Sequence, residues 1–197
     1  MMNHPRTKNT WIQSHTGKRL WPVNPRVEDV DIEDIAHALS NKCRFTGHCN
    51  DFYSVAQHSV MVSEFVDRSI AMGGLLHDAA EYMLPDVATP VKHQLKGFRE
   101  IEEAALDAIF KKFGIMDMRL SDSIMEEIKR ADLQVLAIEA RDLMPNKPED
   151  WCLPFEADPY IQITPWLPRE AKRRFLSRYE QILDNLLSNP ALMARAE

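Results

Sequence analysis

GLLHDAAEYMLPDVATPVK, residues 74–92, is the stretch from which the rest of this chain is best read. His77 and Asp78 set an imidazole and a carboxylate side by side in an apolar run of helical character, and Glu81 follows one turn later. Burying three ionisable groups in so short an apolar stretch is costly unless something compensates them, and a bound cation is the usual compensation. Taken alone, the pair reads as ordinary charge on a surface helix, because such dipeptides are common. Its weight depends on what the neighbouring segments bring to it.

The spacing of Leu75, Leu76, Ala79, Ala80 and Met83 predicts one helix over 69–83. In that helix Glu81 is i+4 from His77 and i+3 from Asp78, so all three can face one cavity. Pro85 stops it, and 84–90 reads as a loop carrying Asp86, Thr89 and Pro90 ahead of Val91 and Lys92. Upstream, 54–67 reads as a helix capped by Ser54, with Val55, His58, Val62, Phe65 and Val66 on its inner face. A solitary His there reads as a core residue with a hydrogen-bond partner unless other ligand types converge on it. Residues 41–53 break the periodicity at Gly47, Asn50 and Asp51 and read as a loop. Its Arg44, Phe45 and His48 offer a cation and a flat stacking face, although alone it is an ordinary loop with one buried Phe. Before it, 31–39 is predicted as a helix with Ile32, Ile35, Ala36 and Leu39 inward and His37 exposed. An irregular or short-stranded arm, 1–30, carries Trp11, Trp21, Pro22 and Pro25.

Downstream, 98–113 is an amphipathic helix with Ile101, Ala105, Leu106, Ile109 and Phe113 inward, closed by Gly114. The helix over 121–144 places Ile124, Ile128, Ala131, Val135 and Ile138 inward. Asp132 sits at the edge of that stripe while the other charges of the window point outward, a second sign of a buried cation. Pro145, Pro148, Pro154, Pro159, Pro165 and Pro168 make 144–168 an extended excursion, with a short apolar alternation around 160–163. A final helix, 169–187, turns Ala171, Phe175, Tyr179, Ile182 and Leu186 inward, and the last residues are expected to fray. The fold class is all-α: a single domain over 1–197, built as a bundle of about six helices wrapped by the arm and the Pro-rich segment.

Apolar residues make up 45% of the chain and charged ones 27%, with only 6 Gly, which describes a soluble globular protein rich in helix formers. A net charge of −6 without a basic run argues against duplex nucleic acid as a partner. Small anions remain possible substrates, since a local basic pocket can sit in an acidic protein. The opening MMNHPRTKNT lacks the apolar core of a secretion signal, and no window reaches the length of a membrane span, so a cytoplasmic protein without a membrane partner is expected. Cys43, Cys49 and Cys152 fit no zinc spacing and are expected as reduced thiols, and the 10 Met residues as core filling.

His58, then His77-Asp78, then Asp132, on three separate helices, resemble the ligand set of the HD superfamily of metal-dependent phosphohydrolases. The run HDAAEYMLPDVATPVK is similar to that of the bacterial 5′-deoxynucleotidase branch, with Glu81, Asp86 and Thr89-Pro90-Val91-Lys92 in register. Arg44-Phe45 resembles the Arg-aromatic pair by which that branch holds a nucleotide, and phage-encoded deoxynucleoside triphosphate triphosphohydrolases, some acting on dATP, are similar in the same motifs. The similarity spans 35–132 and leaves out the arm and the Pro-rich segment. It implies an HD-domain bundle with His58, His77, Asp78 and Asp132 as metal ligands. It further implies Glu81 and Asp86 as the catalytic carboxyls, one for the attacking water and one for the leaving 5′ oxygen. Arg44, Phe45, Lys92, Thr89 and His48 would lie at the substrate. His93 lacks the companions found in two-metal HD proteins, so one ion per site is implied. Related proteins form dimers or larger rings, which implies a homo-oligomer, in the host cytoplasm if the chain is phage-encoded.

Two imidazoles and two carboxylates suit Co, Mn, Fe, Ni or Zn better than Mg or Ca. Four protein ligands on an ion that accepts six leave positions for water and a phosphate oxygen. The expected function is therefore hydrolysis of the 5′ phosphoester of a deoxynucleotide, dNMP or dNTP. The alternatives are hydrolysis of a signalling nucleotide such as a guanosine tetraphosphate, and a nucleotide-sensing module without turnover. The complete ligand set disfavours the second.

Overall fold

The computed structural model describes residues 10–146 and 151–188. Those residues contain eight α-helices and one two-stranded sheet, so the chain is all-α. The arm opens with β1 (Ile12–Gln13), paired antiparallel with β2 (Arg19–Leu20). Helix α1 (Ile32–Asn41) starts where the Asp31 carboxylate accepts from the Glu33 amide, and it buries Ile35, Ala36 and Leu39 as their spacing demands. Helix α2 (Val55–Glu64) is capped by Ser54, whose hydroxyl oxygen accepts from the Gln57 amide. Every residue from Val55 to Ser63 is buried, so α2 has no solvent face and runs through the middle of the bundle.

Against α2 lie α3 (Ala71–Leu76) and α8 (Pro168–Ser188). The approach of α3 depends on Gly74, since a Cβ there would stand 3.1 Å from the Ser63 Cα. The wall is completed by α4 (Thr89–Lys92), α5 (Phe98–Lys112), α6 (Met116–Leu120) and α7 (Asp122–Leu143), the last capped by Ser121. Tyr53, Phe110, Phe175, Leu39 and Ile138 are fully buried at its centre.

Several expectations need correction. The helix expected over 69–83 is not continuous: a 3-10 turn at Arg68–Ile70 leads into α3, and a second one, Ala79–Tyr82, follows a break at Asp78, whose backbone sits at φ −99, ψ 12. Helix preferences of a few tenths of a kcal/mol per residue at Ala79 and Ala80 are easily outweighed by tertiary contacts. The short helices α4 and α6 had no periodic signal. On α5 the stripe is rotated, with Ala108 and Phe110 buried and Leu106 and Phe113 half-buried. His37 is half-buried and stacks on His15, ring centroids 3.6 Å apart. The alternation at 160–163 forms no strand. That segment's backbone is held by side chains instead. Arg141 donates to the carbonyls of Asp158 and Ile161, Asp142 accepts from the Ile163 amide, and Gln57 bonds the Thr164 carbonyl and the Trp166 amide. The first nine residues of the arm and the end expected to fray lie outside the described residues. Among those described, no helix is long and apolar enough to cross a membrane.

Candidate metal centre

Three elements meet at one point: α2 brings His58, the break after α3 brings His77 and Asp78, and α7 brings Asp132. His58 Nε2 lies 3.3 Å from His77 Nε2, 3.2 Å from Asp132 Oδ1 and 3.7 Å from Asp78 Oδ2. His77 Nε2 lies 3.3 Å from Asp78 Oδ2. His58, His77 and Asp132 each offer a ligand atom within 4.8 Å of the others, a group that could hold a metal ion.

The other face of each imidazole is already committed. His58 Nδ1 donates to Glu139 Oε1 at 2.7 Å, and His77 Nδ1 donates to the Gly74 carbonyl at 2.8 Å. With those protons directed outward, neutral imidazoles present two Nε2 lone pairs inward, beside two carboxylate oxygens. Two nitrogen and two oxygen acceptors then converge, with Lys129 donating to the other Asp132 oxygen at 2.7 Å, and this mixed set fits a divalent transition ion.

Without an ion, protons fill the same need. Burial disfavours a charged His77, yet the adjacent Asp78 and then Asp132 push it up to about 9. His58 is also raised: burial and Arg44 oppose its charge, and Glu139 and Asp132 outweigh them. Burial would raise both carboxyls, but His77 holds Asp78, and His58 holds Asp132, well below the usual carboxylate range.

Arg44 stands behind this cluster. Its Nη2 donates to Glu139 Oε2 at 3.0 Å, its Nη1 lies 3.6 Å from Asp78 Oδ2, and its Cζ lies 5.3 Å from the centre of the Phe45 ring. Phe45 in turn meets Trp151 edge to face, centroids 5.7 Å apart. Phe45 (φ 54) and Thr46 (φ 51) are held in the left-handed region, at a cost on the order of 1 kcal/mol or more each. Glu81 is 7% exposed, and its Oε2 has no partner among the described residues. Burial, then Asp78 and Asp86, push it up to about 9. The turn that carries Glu81 is tied down by Lys42, whose ammonium donates to the carbonyls of Glu81 and Leu84.

Not every expected residue is drawn to this point. His48, Thr89 and His93 are exposed, and Asp86 is half-buried. Lys92 is paired with Glu102 at 2.7 Å. Burial opposes its charge, but Glu102 first, then Asp78 and Glu81, raise it above its ordinary value. Glu139 corrects the expectation that charges of α7 other than Asp132 point outward, because it is fully buried. It follows Asp132 by seven residues, about two turns on the same face, and that spacing was its available signal. Lys42 and Trp151 carried no comparable signal.

No family model matches the chain. The chain is 33% identical over 175 residues to the uncharacterized protein YfdR of Escherichia coli, a match covering 88% of this chain and 96% of that protein. It is 36% identical over 146 residues to an uncharacterized protein of Rhodobacter capsulatus, covering 69% of this chain and 74% of the relative.

Proposed function

The chain belongs to the same family as Escherichia coli YfdR; from the residues of its site and the motifs they resemble, we propose that it is a divalent-metal-dependent phosphohydrolase cleaving the 5′ phosphoester of deoxynucleotides. The observation that supports this reading is the convergence of His58 Nε2, His77 Nε2, Asp78 Oδ2 and Asp132 Oδ1, with the Nδ1 atom of each imidazole bonded outward. These four atoms would hold a single ion of Co, Mn, Fe, Ni or Zn. When bound, such an ion supplies Lewis acidity toward a phosphoryl oxygen and toward water.

The chain's own groups would do the rest. Arg44, half-buried next to Asp78 and Glu139, provides fixed positive charge for a phosphate, and its Nε has no partner among the described residues. Glu81 carries a proton at neutral pH through burial and the charges of Asp78 and Asp86. Neutralising Asp78 would bring Glu81 toward the range in which a carboxyl can both take and give a proton. Following the resemblance, Glu81 handles the attacking water and Asp86 protonates the leaving 5′ oxygen. Phe45 offers its ring to the base, and Lys92 adds positive charge once it exchanges Glu102 for phosphate. Thr89 and His48 contribute contacts at the rim. Two or more copies of the chain, working in the cytoplasm, complete the picture.

A monophosphate would give deoxynucleoside and phosphate; a triphosphate would give deoxynucleoside and triphosphate. Water adds across the same 5′ P–O bond in both. The test is to incubate the manganese- or cobalt-loaded protein with each dNMP and dNTP and identify the released phosphate species. Deoxynucleoside with phosphate or triphosphate is the expected product pair. Absence of release from all of them, or release only from a guanosine tetraphosphate, would overturn the proposal.

A further inference from the structure

We propose that Glu139 is a positioning residue shared by two ligand subsites, fixing His58 for the ion and Arg44 for an anion beside it. This rests on the ion-binding part of the reading above and not on the identity of the nucleotide.

Glu139 has 0% exposure, and its two oxygens serve different partners. Oε1 accepts from His58 Nδ1 at 2.7 Å, and Oε2 accepts from Arg44 Nη2 at 3.0 Å. A carboxylate removed from water keeps its charge only when such partners hold it. A side chain serving packing alone has no need to divide its oxygens between a proposed ligand and the Arg44 guanidinium, which also reaches Asp78. The bond to Nδ1 keeps a proton on the far side of the ring, so it is Nε2 that the neutral imidazole presents to an ion. The bond to Nη2 restrains Arg44 from turning wholly onto Asp78, which would neutralise a carboxylate that the ion needs. Nη1 stays 3.6 Å from Asp78 Oδ2. Since α7 also carries Asp132 seven residues earlier, one rigid helix supplies a ligand and the brace for another.

Loss of the Glu139 charge should therefore weaken both subsites together. The test compares wild type with Glu139→Gln, which keeps the shape, and Glu139→Asp, which keeps the charge but shortens the reach. Each is titrated calorimetrically with Co²⁺ alone, then with inorganic phosphate on the cobalt-loaded protein. Glu139→Gln should bind Co²⁺ about 10- to 100-fold more weakly and lose phosphate affinity in parallel, with Glu139→Asp between the two proteins. A folded Glu139→Gln variant with wild-type Co²⁺ affinity would overturn the proposal. Should that variant not fold, the zinc-loaded wild type decides by nitrogen-proton NMR. A slowly exchanging proton on His58 Nδ1 supports it, and a zinc-bound or freely exchanging Nδ1 overturns it. Wild type that binds no divalent ion removes the ion-binding reading and this proposal with it, whereas wild type that binds Co²⁺ no better than Glu139→Gln removes only this proposal.

Discussion

The Nε2 atoms of His58 and His77 lie 3.3 Å apart, each on a ring whose Nδ1 is bonded away from the other. Two lone pairs at that distance need positive charge nearby, and either a proton or a metal ion can provide it. The pH dependence of stability should reveal the competition. His77 is raised from 6.5 to about 9 in the folded protein, chiefly by Asp78 against burial. Its stabilisation is therefore fully present below pH 6.5 and lost as pH rises through about 9, a total of roughly 3 kcal/mol. In chelator, the melting temperature should fall between pH 6.5 and pH 9, by on the order of 10 °C. Saturating Mn²⁺ should abolish the fall, because the ion replaces the proton. A flat profile in chelator would contradict the account of the centre.

Asp78→Ala should remove metal content and hydrolysis together. The side chain is 28% exposed and the residue sits at a helix break, so the fold should survive its loss. Elemental analysis paired with the product assay checks both at once. Turnover persisting in metal-free Asp78→Ala would exclude the proposed chemistry.

Glu81→Gln separates proton handling from architecture. A raised carboxyl favours the folded state while protonated and begins to cost stability above its unfolded value of 4.5. A neutral amide avoids that cost, so the variant should melt no lower than wild type at neutral pH. If Glu81 moves a proton in the reaction, kcat should drop by about 10²- to 10⁴-fold with little change in Co²⁺ affinity. Loss of cobalt binding instead would place Glu81 among the ligands.

Gly74→Ala tests the close approach of α3 to α2. The added Cβ meets the Ser63 Cα and Val66 Cγ2 at 3.1 Å each, and the first is backbone. A destabilisation of about 1–3 kcal/mol is expected. Because the Gly74 carbonyl holds His77 Nδ1, cobalt affinity should fall as well. Thermal melts with a cobalt titration measure both, and an undisturbed protein would show that the helices can part there without consequence.

The bundle was legible wherever a helix has one apolar stripe and a cap, as in α1 with Asp31 and α7 with Ser121. It was less so where burial is all-round: the single inner face expected for α2 understates a helix buried from Val55 to Ser63, and the break at Asp78 is set by contacts that local spacing does not encode. The convergence of His58, His77, Asp78 and Asp132 was anticipated through the ligand pattern they resemble; apolar settings alone offered only separate hints at His77-Asp78 and Asp132. Glu139 escaped notice because a carboxylate in a helix rich in Glu and Asp looks like solvated charge until its partners are seen. Lys92 looked free in sequence and is paired with Glu102, since pairings between helices leave no mark along either one.

The Pro-rich segment acts on the centre from outside as a splint. It is gripped by Gln57, one residue before His58, and by Arg141 and Asp142, just beyond Glu139. The two helices that carry His58 and Asp132 are thus lashed together by an extended strap with no ladder of its own. A fragment ending at residue 146 would keep every motif residue, yet, without the strap and without α8, it is expected to bind cobalt more weakly than the whole chain in the same titration. Equal affinity would show that the strap is dispensable. The shortest piece of this protein that contains the motif is then shorter than the shortest piece that can use it.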